Sequence, residues 1–390
     1  MSYIEPKNSS PVDKEDIVHP RVIPFILMHL ACFGIIWVDV QPIDWIICGA
    51  LYVIRMFGIT AGFHRYFSHR SFKTSRIFQF FLAFLGQSSA QRGVLWWAAK
   101  HRLHHKYSDT DQDVHSPVKH GFWYSHVLWI FSKRGLPADY HLIKDFQKYP
   151  ELAWLEKWER LPPFVLGVCV WLLAGWSGLF VGFFLSTVLL FHGTFTINSL
   201  AHIHGKQAYV TGDHSRNNLL LAIITLGEGW HNNHHHFPSA TPQGFHWWQI
   251  DVTYYILKVL SIFRIVWGLR LPPAHVVAGK RKLSFAVVEK AAQQLAASFS
   301  TEQIGKTLLT TWSHSSKLEE LRKRARIGQT EVEKFLRELK IPELPAPTDL
   351  KHKAQKMFAH IPSLNPVVER AHQIIIESIS VWLVQEANAM

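Results

Sequence analysis

Cysteine is nearly missing from this chain. Its three, Cys32, Cys48 and Cys169, each lie inside an apolar run and at no metal or redox spacing. A disulfide framework, a thiolate zinc site and a dithiol redox centre are thereby excluded, and the thiols read as small packing hydrophobes. Charge is scarce as well: Asp, Glu, Lys and Arg make up 18% of the 390 residues, against about 25% in soluble domains. Acid is the scarcer sign, 29 residues against 41 basic ones, for a net charge of +12. No basic helix, zinc-finger spacing or aromatic RNA-binding motif accompanies that excess, so no nucleic-acid partner is expected. A basic face toward anionic lipid head groups or an acidic redox partner fits it instead. Met1 to Pro20 is polar and lacks the basic start, short apolar stretch and cleavage site of a signal peptide.

What is plentiful is apolar, 48% of the residues, with 13% aromatic. Val22 to Val38 and Trp45 to Phe63 are apolar runs joined by the Asp39–Asp44 turn, each near the ~17–25 residues of a spanning helix. Ile77 to Leu85 is too short to span and is assigned to the interface. Pro162 to Leu200 accommodates either one long tilted helix or two, with Gly-Trp-Ser-Gly at 175–178 as the turn. If the histidine clusters on either side of it build one site, an even number of crossings must separate them, which favours two. The positive-inside rule agrees: the turns at 39–44 and 175–178 carry no Lys or Arg, whereas 65–160 is strongly basic. The expectation is an all-α polytopic membrane protein. Its four transmembrane helices fall at about 22–38, 45–63, 161–175 and 178–198, and its histidine clusters all lie on the cytoplasmic side. A polar tail (1–20) precedes this membrane domain (21–275), and a soluble helical C-terminal extension (276–390) follows Pro272-Pro273. Both termini are expected on the cytoplasmic side of a bacterial inner membrane or the endoplasmic reticulum.

Three histidine clusters stand beside these runs: His64-Arg-Tyr-Phe-Ser-His69, His101-Arg-Leu-His104-His105 and His231-Asn-Asn-His234-His235. Imidazole is the commonest protein ligand for iron, zinc and copper. Within the second and third clusters the i, i+3, i+4 spacing puts three imidazoles on one helix face. His64 and His69, five apart, point about 140° apart on an α-helix, so they converge only if the helix breaks between them. Asn198 and His202, an i, i+4 pair, add a ligand and a water-holding amide. Nine imidazoles approach the demand of two six-coordinate irons, whereas a structural zinc needs four ligands. No paired Glu-x-x-His pattern suggests a carboxylate-bridged bundle site. His192, inside the fourth expected span, is a functional candidate because intramembrane ionisable groups are costly; a place along a substrate channel suits it. His115, His120, His126, His141, His214 and His246 read as surface or hydrogen-bonding residues.

Gly62-Phe-His-Arg-Tyr-Phe-Ser-His69, Trp97-Ala-Ala-Lys-His-Arg-Leu-His-His-Lys106, Asn198-Ser-Leu-Ala-His202 and Gly227-Glu-Gly-Trp-His-Asn-Asn-His-His-His-Phe-Pro238 resemble the membrane fatty acyl desaturases, specifically the Δ9, stearoyl-CoA desaturase-like group. The likeness covers about residues 20–275. It implies two iron ions held by His64, His69, His101, His104, His105, His202, His231, His234 and His235, with Asn198 acting through water. It further implies O₂ as co-substrate, a cis double bond placed in a fatty acyl-CoA or acyl-lipid within the bilayer, and a fold of four membrane helices under a cytosolic cap. A bent apolar tunnel would select the carbons; Gln87 is a candidate for its bend, and Cys48 and Tyr52, sharing one face of the second helix, for its end.

Two departures matter. Ala99 stands where the animal acyl-CoA enzymes carry a basic residue, although Lys133 and Arg134 supply phosphate-seeking charge where the family has a basic pair. The C-terminal region has no His-Pro-Gly-Gly haem motif, so electrons are expected from a separate carrier of cytochrome b5 or ferredoxin type. The nearest rival reading is an alkyl or fatty acid hydroxylase, or a desaturase of other regiospecificity. A metal-binding membrane transporter would instead put its ligands inside the spans.

Overall fold

The computed structural model describes residues 19–389 apart from positions 136, 340, 343 and 359–363, so the expected polar tail lies, up to residue 18, outside the described residues. Among the described residues the regular structure is mostly helical, with one small antiparallel sheet in which β1 (Lys73–Thr74) pairs with β2 (Val266–Trp267) and loops between the helices. It divides into two compact units. One comprises the chain up to Lys206 with His214–Pro273; the other comprises Gln207–Asp213 with the chain from Ala274 onward.

In the first unit, α1 (His19–Ala31) tightens into a 3₁₀ turn over Cys32–Trp37. After it comes α2 (Pro42–Phe57), with Pro42 in its first turn and the Asp44 carboxylate accepting the Gln41 backbone N–H at 2.8 Å, a start that leaves few orphan donors. The helix continues as a π-helical segment over Gly58–Ser68. Of the four spans expected, two helical runs among the described residues are long and apolar enough to cross a membrane, Pro42–Ser68 and Leu161–Ser199; Val22–Trp37 falls short. The 39-residue run is not straight. Gly175 has φ 64° and ψ −159°, a conformation open to glycine. A Cβ on Gly167 would stand 3.2 Å from the Phe183 ring, whereas residues so far apart on a straight helix would be separated by about 24 Å. The run is therefore a hairpin with its tip at Gly175. Arg55, the lone charge of the second apolar run, is buried; it donates to Ser186 Oγ at 2.5 Å and Thr187 Oγ1 at 2.6 Å, tying α2 to the Ser186–Ser199 helix.

Two further helices frame the site. In α3 (Arg76–Gln87), Gly86 packs so closely on Gly58 that a Cβ on Gly58 would come within 2.8 Å of the Gly86 nitrogen. In α4 (Val94–Tyr107), which carries the second histidine cluster, the free N-terminal amides are taken up by side chains. Glu156 accepts from Leu95 and Trp96 at 2.8 and 3.1 Å, Glu159 from Gly93 at 3.1 Å, and Gln87 Oε1 from Val94 at 3.3 Å, so α4 starts from a fixed point.

The second unit has its own apolar core, built around Leu295, Leu308, Leu321, Phe335, Leu350, Ile375 and Ile379. Val210 belongs to that core, and the Tyr209 hydroxyl donates to the Val277 carbonyl at 2.8 Å.

Candidate metal centre

The π-helical winding brings the first histidine cluster together. In a helix closed by i→i+5 bonds, residues five apart lie nearly one above the other. His64 and His69 are such a pair, and the His69 amide donates to the His64 carbonyl at 3.2 Å. The break expected between them does not occur; a change of helical pitch does its work.

Nine imidazoles then form two groups, in each of which the ligand atoms lie within 4.8 Å of one another: His64, His69, His101, His105 and His234 in one, and His104, His202, His231 and His235 in the other. Their Nε2 atoms face inward. His69 meets His101 at 2.8 Å, His101 meets His105 at 3.0 Å, His105 meets His234 at 2.9 Å, and His202 meets His231 at 3.0 Å. On the far side, carboxylates take the Nδ1 atoms: Asp113 at His104 (3.1 Å), Asp109 at His202 (2.9 Å) and Glu228 at His64. A carboxylate can only accept here, so each of these rings carries its proton on Nδ1 and turns a bare Nε2 lone pair to the centre. Facing lone pairs repel, and a cation between them removes the repulsion. All-nitrogen donors without thiolate suit iron, zinc or copper, so the residues fit metal ions.

Electrostatics favours the same state. Burial first, and then the neighbouring imidazoles, hold His69, His101, His105, His231 and His234 well below the usual histidine range, which keeps them neutral and ligand-ready. Burial opposes ionisation of Asp109 and Glu228, yet their histidine partners outweigh it and both carboxyls lie below the usual range. Glu228 is further held by Arg65 at 3.0 Å and by Gln243 Nε2 at 2.6 Å, and Arg65 bridges to Asp251 at 2.9 Å. This buried network carries no visible spacing rule in the sequence. Glu228 stands in Gly227-Glu-Gly-Trp-His, and Asp109 and Asp113 follow the second cluster closely; in so acid-poor a chain, carboxylates beside histidine clusters were the available signal. His115, read as a surface or hydrogen-bonding residue, is buried against Asp113 and His104, and burial first, then His104, pushes its pKa down to about 3.

A cavity of about 800 Å³ reaches this centre, with His101 and Asn198 on its wall. Gln91, Arg92, Lys100, Glu159 and Arg160 give it a polar part, and Phe164, Val168, Trp171, Leu179, Phe183 and Phe184 an apolar one. Its size is within the range of small-molecule sites. Six residues expected along a substrate path stand outside its lining. Gln87 is buried, bonded to α4 as above and to the Leu155 carbonyl at 3.0 Å. Tyr52 donates to the Ile224 carbonyl at 2.8 Å, and Cys48, one turn earlier, is buried. His192 lies between His29 (3.1 Å) and His126 (3.0 Å), and His126 in turn meets Ser199 Oγ at 2.9 Å. Lys133 and Arg134 are exposed, and the Arg134 carbonyl accepts from Lys100 at 3.3 Å.

Comparison with known proteins agrees with this chemistry. The profile of the fatty acid desaturase family matches residues 43–260. An acyl-CoA C20 Delta5-desaturase of Anemone leveillei is 37% identical over 61% of this chain and 77% of its own length. A palmitoyl-monogalactosyldiacylglycerol delta-7 desaturase of Arabidopsis thaliana is 34% identical over 67% and 69%. An sn-1 stearoyl-lipid 9-desaturase of Synechocystis sp. is 38% identical over 59% and 73%. The match spans all three histidine clusters and the helices that gather them, and so the chain belongs to the fatty acid desaturase family.

Proposed function

We propose that this chain is an O₂-dependent desaturase that introduces a cis double bond, at Δ9, into a saturated acyl chain carried on a lipid or on CoA. One observation carries the reading: the nine imidazoles in two groups lie at the wall of a long, largely apolar cavity. Two irons, when bound, supply the O₂ activation and redox capacity needed to break unactivated C–H bonds. The ligands are the nine histidines, with Asn198 acting through water, and Asp109, Asp113 and Glu228 fix the tautomers of His202, His104 and His64. The cavity holds the acyl chain so that chosen carbons lie beside His101 and Asn198, an entropy saving that positioning alone can supply. Arg92, Lys100 and Arg160, with Lys133 and Arg134 close to Lys100, attract a phosphate-bearing head group. Gln87 serves by anchoring α4, whose Trp96, Trp97 and Lys100 line the cavity, and Tyr52 by bracing Gly193 on the helix that carries Asn198. The arms meeting at Gly175, together with Val22–Trp37 and Pro42–Ser68, support a four-crossing arrangement in a bilayer, with both termini and the centre on the cytoplasmic side.

The test is fatty acid analysis of a desaturase-deficient host expressing the chain beside His101→Ala and His234→Ala. A cis-9 monoene that disappears in both variants is expected. A bond at carbon 5 or 7, as in two of the relatives named above, would revise the position, and a hydroxylated product would replace desaturation by hydroxylation. No new lipid even with a supplied reductase chain would refute the reading.

A further inference from the structure

A second recess, of about 510 Å³, opens on the first unit, and none of its lining residues is shared with the long cavity. His69, one of the nine imidazoles, forms part of its wall. Arg70, Lys73, Lys148 and Arg270 line it and are all exposed. The single carboxylate there, Asp145, is bonded to Arg102 at 2.9 and 3.0 Å and paired with Arg70 at 3.4 Å, and Lys73, Lys148 and Arg270 leave the rim with net positive charge. Its lining is also aromatic: Phe72 and Phe146 are buried, and Trp267, toward the surface, is 45% exposed. Lys73 faces Trp267 across the β1–β2 pair, which fixes one side of the rim.

The geometry points to this recess as the docking site of an acidic one-electron carrier protein, with His69 as the bridge into the centre. The inference rests on the desaturase reading. Conversion of –CH₂–CH₂– to –CH=CH– with reduction of O₂ to two waters takes two electrons from the substrate, two from a carrier and two protons from solvent. Those carrier electrons must enter from the protein surface. His69 links the two environments in one ring, since its Nε2 lies 2.8 Å from that of His101 while the residue borders the recess. The lining cations are exposed, as suits a steering surface for a protein of opposite charge. An exposed tryptophan on a basic rim matches the composition of a protein interface. A lipid or CoA head group has its own basic residues, Arg92, Lys100 and Arg160, on the long cavity.

Full-length, iron-loaded protein in lipid nanodiscs provides the test. Desaturation is measured with a [2Fe–2S] ferredoxin and with the haem domain of cytochrome b5 as carriers, and in single turnover with dithionite. In Lys73→Glu/Lys148→Glu, the KM for whichever carrier supports the wild type should rise at least tenfold at low salt and lose most of its salt dependence. Dithionite turnover and the KM for the acyl substrate should not change, and Lys73→Arg/Lys148→Arg should behave as wild type. An unchanged carrier KM overturns the proposal. So does a shifted acyl-substrate KM, which would assign the recess to the head group, or a wild type that turns over with dithionite but with neither carrier. Wild-type protein that makes no product with dithionite refutes the desaturase reading, and the docking site falls with it.

Discussion

Each metal-facing histidine with a carboxylate behind it is held in one tautomer and one orientation. Asp113→Asn keeps the shape but can present an amide N–H to His104, favouring the wrong tautomer. Loss of such a partner typically costs 10–100-fold in metal affinity; iron retained against a chelator should fall by about that factor, with helical content by circular dichroism unchanged. Metal removal has a second expected consequence. With facing Nε2 lone pairs uncompensated, chelator-stripped protein should melt lower than iron- or zinc-loaded protein, and the gap should widen with free metal concentration. Equal melting temperatures would mean that the imidazoles do not bind metal in the folded state. At this scale the gathering of the histidines was legible and the residues that support them were not. His101, His104 and His105 announce a shared face by spacing alone, whereas the Glu228–Arg65–Asp251 network joins residues from three distant segments, and no local pattern records such a meeting.

Helical pitch is the decisive property of the elements. The apolar run leading to His64 was plain from hydropathy, but π winding over Gly58–Ser68 was not, because the chain next to α3 and the buried Arg65 network select it, and neither is local. Gly58→Ala tests that dependence. Its Cβ would meet the Gly86 nitrogen at 2.8 Å, and overpacking of this kind typically costs about 1–3 kcal/mol. The variant should unfold at lower temperature and hold less metal, since any shift of the segment moves His64 against His69. Full metal content in a destabilised Gly58→Ala would separate pitch from ligand placement and count against the argument. The turn at Gly175 was better encoded: glycine at both ends of 175–178 marked it, and the left-handed conformation falls on the first of them.

The whole molecule is two units, and the composition change after Pro272-Pro273 lies close to the boundary between them. Hidden from the sequence was the return path, since Gln207–Asp213 belongs to the second unit although it lies within the first in chain order. A chain ending at Pro273 strips Tyr209 and Val210 of their buried surroundings, a loss of roughly 1.5–3 kcal/mol for each side chain. Such a truncation should give less monodisperse protein on size exclusion, and a Gly/Ser replacement of 207–213 in the truncated chain should restore it. If the truncation alone behaves like the full chain, Tyr209 and Val210 do not depend on the second core for their cover.

That return path also sets a timetable for synthesis. Val210 leaves the ribosome roughly 165 residues ahead of Ile375, with which it shares a core, and at ~5–20 residues per second this is a wait of about 8–33 seconds. Val277, Ala291 and Leu295 follow within that interval, but the core that Val210 joins is complete only when Ile375 and Ile379 arrive. Any chaperone that attends this chain in the cell has its longest opportunity there, between the emergence of Val210 and the arrival of the final helix.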